Sequence, residues 1–107
     1  MSEQTIQRKI RQDFEERGAY STKVNPGIYG APTGHADLVL SIPVTIPGSD
    51  YFIIPICLYI EVKTKTGKQS MMQKIWMREM LKAGHLVCVA RCTQDALEYL
   101  ASQGIKL

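Results

Sequence analysis

The feature that most constrains this chain is a short apolar segment that ends in an acid and a base, within the stretch LYIEVKTKTGKQS. Leu58, Ile60 and Val62 are typical of a buried strand. Glu61 and Lys63 stand two positions apart, so in a strand they share one face, and the apolar residues between them face the core. The pattern fits a functional site at the end of a strand, or an exposed Glu–Lys pair on a solvated face.

Length and composition favour one globular domain over residues 1–107. The net charge of +3 permits a nucleic-acid partner without requiring one. Cys57, Cys88 and Cys92 form no C-x-x-C pair, and we predict that they are reduced core residues. The polar N-terminal segment predicts no secretion signal, and no apolar run is long enough to span a bilayer. We therefore expect an intracellular, cytoplasmic protein.

Local signals predict the order helix, three strands, helix, strand, helix. Such an order is typical of an α/β fold, a mixed sheet with helices on its faces. Ser70 with Gln73 has the spacing of a capping box. The predicted helices run from the Ser2 cap to Gly18, from Ser70 to Gly84 and from a Thr93 cap to Gly104; the strands cover 19–24, 36–42, a run from Tyr51 to about Lys65, and 85–91; 25–34 is a loop and 43–50 a turn.

A second carboxylate, Asp37, opens the predicted second strand. If that strand pairs with the third, Asp37 and Glu61 converge within reach of one hard cation. Mg²⁺ is typically held by one or two carboxylates together with waters and substrate phosphate. Lys63 could then position or deprotonate a metal-bound water, or stabilise negative charge on a phosphate.

The first helix adds an acid. Its apolar arc of Ile6, Ile10 and Phe14 includes Glu3 when the residues are placed at 100° intervals. An acid directed at the body of a domain needs a partner or a metal. Alternatively, Glu3 simply suits the positive end of the helix dipole in the first turn. Gln7 shares the inward side and could orient the site.

The second helix places Gln73 within its apolar arc, where the amide needs a hydrogen-bond partner. Gln73 could reach back to the acid and base, or serve only in the capping box. Basic residues gather in the same part of the chain. They suit contacts with a phosphate backbone, or form a solvated face. The basic cluster comprises Lys63, Lys65, Lys68, Lys74, Arg78 and Lys82.

A helical acid, then G-x-x-D-L, then I-E-V-K, a turn and S-x-x-Q resemble the virus-type replication–repair nuclease (VRR-NUC) domain of the PD-(D/E)xK nuclease superfamily, in a small stand-alone phage-type form. The resemblance implies a restriction-endonuclease-like core of order αβββαβ(α). Two departures are Ala36, where many members have proline, and a long insert between the acid-bearing strands. The residues that carry the resemblance are Glu3, 34–38, 60–63, Gly67, Ser70, Gln73, Trp76 and Gly84.

The resemblance implies a Mg²⁺-dependent DNA endonuclease, with Mn²⁺ as a substitute, acting in repair or recombination on branched DNA such as Holliday junctions. A flap or single-strand nuclease is an alternative, as is a non-catalytic DNA-binding module that keeps the fold. By the resemblance, Asp37, Glu61 and the Val62 carbonyl hold the metal. Lys63 serves the attacking water, Glu3 and Gln73 complete the site, and Lys23 contacts DNA.

A four-way junction has two-fold symmetry, and one chain of this length holds one site. Resolution therefore predicts a C₂ homodimer. The run Tyr51–Ile56 is apolar on both strand faces, and Ile75, Ile28 and Tyr29 add apolar side chains outside the predicted core. These residues predict an exposed patch, with the insert 44–56 in the dimer interface. Alternatively, helices of the same chain cover the extra face.

Overall fold

The computed structural model describes residues 1–23, 36–46, 48–49 and 52–107. The predicted order of elements is confirmed: three helices and a four-stranded mixed sheet form an α/β fold. The predicted 25–34 loop, with Ile28 and Tyr29, and residue Tyr51 lie outside the described residues. The elements are α1 (Glu3–Glu15), β1 (Tyr20–Lys23), β2 (Leu38–Thr45), β3 (Ile53–Val62), α2 (Met71–Lys82), β4 (Leu86–Ala90) and α3 (Thr93–Ser102).

The sheet has the strand order β1-β2-β3-β4. The first three strands are antiparallel to their neighbours, and β4 runs parallel to β3, with Leu58 opposite Leu86 and Val62 opposite Ala90. A parallel neighbour requires a crossover connection, which α2 supplies. The crossover places the end of β3 and the start of α2 on the same side of the sheet, where the candidate site lies.

One face of the sheet carries the core. Every second residue of β2 and of the second half of β3 is buried there, and α1 contributes Ile6, Ile10 and Phe14 to the same cluster. The apolar spacing of α1 thus produces the packing that its sequence predicts. The strand residues in this cluster are Leu38, Leu40, Ile42, Leu58, Ile60 and Val62.

The second strand is longer than predicted, and the predicted turn over 43–50 is wrong at its start. β2 continues through Thr45, with Pro43 opposite Pro55. In an antiparallel ladder, hydrogen-bonded pairs alternate with pairs whose N–H groups point away from the partner strand. Ile46 and Phe52 form a pair of the first kind, because the N–H of Ile46 donates to the carbonyl of Phe52. The two prolines occupy a pair of the second kind, where a missing N–H removes no bond between the two strands.

The third strand is shorter than predicted, because it ends at Val62 rather than near Lys65. The predicted Thr93 cap is also wrong. Cys92 is the N-cap of α3, and the Thr93 hydroxyl donates to Asp13 Oδ2 at 2.6 Å. A hydrogen bond from a hydroxyl to a carboxylate is charge-assisted and therefore strong. This bond joins α3 to α1.

The cysteines are free thiols, as predicted, but only Cys88 is a core residue. Burial raises the pKa of the Cys88 thiol to about 12, so it stays protonated. Cys57 and Cys92 are exposed, contrary to the prediction. None of the helices in the described part of the chain combines the length and apolarity needed to cross a membrane.

Candidate active site

Glu61 lies near the carboxyl end of β3, on the face opposite Ile60 and Val62. Its side chain is fully buried. One carboxylate oxygen, Oε2, accepts a hydrogen bond of 2.8 Å from the amide Nε2 of Gln69. The other oxygen, Oε1, is buried and has no hydrogen-bond partner among the residues that the structure describes. A buried carboxylate oxygen without a partner is costly unless a ligand satisfies it.

Asp37 lies directly before β2 and is bound to the end of β3. Its N–H donates to the Ile60 carbonyl at 3.1 Å, and its Oδ2 accepts from the Val62 N–H at 2.9 Å. The partners in these two bonds, Ile60 and Val62, are the residues directly before and after Glu61 in β3. The predicted pairing of the two acid-bearing strands is therefore observed, and the negative charge of Asp37 acts on Glu61.

Burial raises the pKa of Glu61, because a charged carboxylate is poorly solvated inside the protein. The hydrogen bond from Gln69 and the positive charge of Lys63 oppose this rise, and the charge of Asp37 adds to it. A buried carboxylate beside a second negative charge is an arrangement that a cation stabilises. Lys63, half-buried, supplies one positive charge to the site.

The donor set fits one hard cation of the Mg²⁺ type. Asp37 and Glu61 supply carboxylate oxygens, and Mg²⁺ completes its shell largely with water. Within residues 1–23, 36–46, 48–49 and 52–107, no group of three or more His, Cys, Asp or Glu side chains is arranged to hold a metal. Asp37 and Glu61 are the two carboxylates that the paired strand ends bring together, and the N–H of the predicted carbonyl ligand, Val62, donates to Asp37 Oδ2.

The predicted inward direction of Glu3 is not observed, because its side chain is exposed. The helical period gives the angle of a side chain but not how far the sheet extends beneath the helix, and the burial on α1 begins only at Ile6. Gln7 is the α1 residue that reaches the site. Its Nε2 donates to the Asp37 carbonyl at 3.0 Å, as the sequence suggested it could. The catalytic role of Glu3 stays a prediction.

Gln73 forms the predicted capping box. Its side chain accepts from the Ser70 N–H at 2.9 Å, and the Ser70 hydroxyl accepts from the Gln73 N–H at 3.1 Å. The amide that contacts Glu61 belongs instead to Gln69, which the sequence analysis did not select. Its position in the sequence could have identified Gln69, because it is a polar residue in the turn between the strand that carries Glu61 and the cap of α2. No residue of α2 is buried, contrary to the expected apolar arc, and Trp76 lies edge-on to Tyr59 at 5.8 Å between ring centroids.

The predicted DNA-contacting side chains lie around α2. A surface groove of about 500 Å³ begins at Gln69 and is lined by Lys74, Arg78 and Lys82, with Met77 and Leu81 between them. Glu79 lies 3.6 Å from Arg78 and 3.8 Å from Lys82, so it offsets part of their charge. Lys65 and Lys68 are exposed in the turn before α2, and the side chain of Lys23 lies outside the described residues.

The elements, the acid-bearing strands and the crossover helix define an α/β fold of the nuclease type. A solved structure described as "VRR_NUC domain" matches with a TM-score of 0.69 at 20% sequence identity, over 96% of this chain and 97% of that one. The predicted resemblance to the VRR-NUC domain is confirmed as a shared fold. No protein-family model and no curated protein matches the sequence.

Proposed function

We propose that this protein is a metal-dependent DNA endonuclease that hydrolyses phosphodiester bonds. The observation that carries the proposal is the buried Glu61, whose Oε1 lacks a partner among the described residues beside a second acid, Asp37. A solvated Glu–Lys pair would leave the carboxylate in water, whereas Glu61 is fully buried. The buried acid thus favours a ligand site over a surface ion pair.

Asp37, Glu61 and the Val62 carbonyl would hold the ion, with Mg²⁺ or Mn²⁺ as the natural occupant. When bound, such an ion polarises the phosphoryl group and makes water a better nucleophile. Lys63 orients the attacking water or stabilises the negative charge that develops on the phosphate. Gln7 fixes the backbone of Asp37, and Glu3 and Gln73 remain further candidates at the site.

The groove on α2 supports a route for the phosphate backbone. It begins at Gln69, whose amide contacts Glu61, and it continues along three cationic side chains. A strand lying there would lead its phosphates to the acids. The cations that would contact phosphate are Lys74, Arg78 and Lys82, together with Lys65, Lys68 and Lys23.

Branched DNA, such as a Holliday junction, is the proposed substrate, cut by a homodimer. The exposed side chains of Phe52, Ile53 and Ile54 support an interface on the insert 44–56. A flap or single-strand nuclease is the competing enzyme. A non-catalytic DNA-binding module is disfavoured, because it would have no use for a buried acid with an unsatisfied oxygen.

The experiment that tests the proposal is incubation with labelled linear, flap and four-way DNA, with Mg²⁺, Mn²⁺ or a chelator. We expect cuts in the four-way DNA only with a divalent ion. Asp37→Asn and Glu61→Gln should bind DNA but not cut it. Because Glu61→Gln removes a buried charge, its metal-free form should melt no lower than wild type. Cleavage in chelator, or by Glu61→Gln, would contradict the assignment, and preferential cutting of flaps would support the competing enzyme.

A further inference from the structure

The side chain of Gln69 lies in the turn before α2 and uses its amide group in two directions. Its Nε2 donates to Glu61 Oε2 at 2.8 Å and to the sulfur of Met77 at 3.4 Å. An amide NH₂ group has two hydrogens, and both are directed at these acceptors. The orientation of the amide is therefore fixed from both sides, with the nitrogen toward the acid.

The turn that carries Gln69 is itself fixed. The Arg91 guanidinium donates to the Gly67 carbonyl at 2.8 Å, and the Gly67 N–H donates to Thr64. A side chain at Gly67 would approach Thr64 Oγ1 to 3.0 Å, so the turn is closely packed. Directly after Gln69, the capping box of Ser70 fixes the start of α2. Gln69 thus extends from a backbone that is tied on both sides.

We propose that Gln69 is the positioning residue that sets how Glu61 binds its metal, an inference that rests on the proposed function. Rotation of a carboxylate about its last torsion is otherwise broad. The bond from Gln69 occupies one acceptor site of Oε2 and leaves Oε1 without a partner, so Glu61 would offer Oε1 to a cation. Glu61 would then act as a monodentate ligand.

A monodentate carboxylate discriminates between divalent ions. Ca²⁺ accepts six to eight oxygens and often takes both oxygens of one carboxylate, whereas Mg²⁺ requires octahedral geometry with short bonds. Because Oε2 already accepts from Gln69, bidentate binding of Ca²⁺ would compete with that hydrogen bond. Gln69 therefore favours Mg²⁺ and Mn²⁺ over Ca²⁺ at this site.

The chain offers a matched control in Gln94. It is the same residue type on α3, it is exposed, and its Nε2 lies 3.5 Å from the Glu98 carboxylate rather than at the candidate site. Replacing Gln94 by Met tests what the loss of a glutamine–carboxylate contact elsewhere does to the protein. Replacing Gln69 tests the carboxylate. Gln69→Met keeps the length and volume but has no N–H, and Gln69→Glu turns the donor into an acceptor with a charge.

The test measures binding of Mn²⁺ and Ca²⁺ to the full chain without DNA, by electron paramagnetic resonance of free Mn²⁺ and by competition with Ca²⁺. We expect Gln69→Met to weaken Mn²⁺ binding by about tenfold, as loss of an outer-shell partner typically does. Ca²⁺ binding should fall less, so the preference for Mn²⁺ narrows. Gln69→Glu should weaken the binding of both ions less than Gln69→Met does, since it adds negative charge. It should nevertheless abolish the preference for Mn²⁺ over Ca²⁺. Gln94→Met should leave both affinities unchanged.

The outcomes distinguish a failure of the role of Gln69 from a failure of the proposed function. If wild type binds Mn²⁺ and Gln69→Met binds it equally well, with the same preference over Ca²⁺, the role of Gln69 is overturned. The proposed function is not affected by that result. Equal weakening in Gln69→Met and Gln94→Met would also overturn the role of Gln69, because a general effect of replacing glutamine by methionine would then explain both. Wild type that binds neither ion would overturn the proposed function and this role with it.

Discussion

The two halves of β3 have similar apolar composition but opposite environments. In the half from Leu58 to Val62, β2 lies on one side and β4 on the other, and the core residues of this half are buried. In the half from Ile53 to Cys57, the only paired strand in the described residues is β2, and Ile53 is 64% exposed. An apolar strand segment is therefore buried only where other elements of the chain reach it.

The difference resolves one of the alternatives left by the sequence. The apolar insert was predicted either to be covered by helices of the same chain or to be an exposed patch. Within the described residues it is exposed: Phe52 is 67% and Ile54 45% accessible, and Ile75 on α2 is 38% accessible. Exposure is thus observed for Phe52, Ile53, Ile54 and Ile75, whereas the predicted patch as a whole and the homodimer that would cover it stay predictions.

The largest effect that separates the two halves should be on catalysis. Glu61→Ala, Asp37→Ala or Lys63→Ala should reduce the cleavage rate by several orders of magnitude, because under the proposed function each would remove a metal ligand or the ammonium that serves the water. Ile53→Ala, in the exposed half, should leave the chemical step unchanged. Single-turnover cleavage with saturating Mg²⁺ measures this contrast, and near wild-type cleavage by Glu61→Ala would refute it.

The next effect is on stability. Leu58 is fully buried, so Leu58→Ala should lower the free energy of unfolding by about 2–5 kcal/mol. Ile53→Ala should change it by only about 0.5 kcal/mol in dilute protein, as at an ordinary surface position. Denaturant titration at low and high protein concentration checks both values. A cost of Ile53→Ala that grows with concentration would indicate that a second copy covers this half.

A third effect concerns assembly. Opposite charges at the two exposed positions, Phe52→Asp and Ile54→Lys, should yield monomers that nick DNA but do not make coordinated cuts in a four-way junction. Light scattering and a cruciform cleavage assay measure mass and coordination. The matched control is the same pair of charges introduced as Gln103→Asp and Ala101→Lys, at two exposed and uncharged positions outside the insert. A monomeric mass for wild type, under conditions where it resolves junctions, would exclude this interface.

The smallest effect is expected at the helix cap. Gln73→Ala should cost on the order of 1 kcal/mol, because it removes the side-chain half of the capping box. Gln73→Glu can still accept from the Ser70 N–H and should retain that stability. If Gln73 also acts in catalysis, both variants cut DNA more slowly than wild type. Full activity of Gln73→Glu would leave capping as the sufficient role.

The sequence predicts what short-range rules govern. Ser70 and Gln73 are three residues apart, and their capping box forms as the spacing indicates. The alternation of Glu61 and Lys63 likewise places the acid opposite the core residues, and the order of elements follows from their caps and periods. Long-range geometry lies beyond such rules. The bond from Gln69 to Glu61 depends on how the turn folds back, and Arg91, far along the chain, holds that turn.

The bond between Thr93 and Asp13 joins residues 80 positions apart, and Asp37, Glu61, Lys63 and Gln69 all lie between them in the chain. Parallel pairing of β3 with β4 is also non-local, and such contacts slow folding because a long loop must close before they form. The hairpin of β2 and β3 can form from neighbouring segments, but Gln69 reaches Glu61 only once the turn is held against β4. We therefore expect that, on refolding, cleavage activity returns with the last cooperative step rather than with the hairpin.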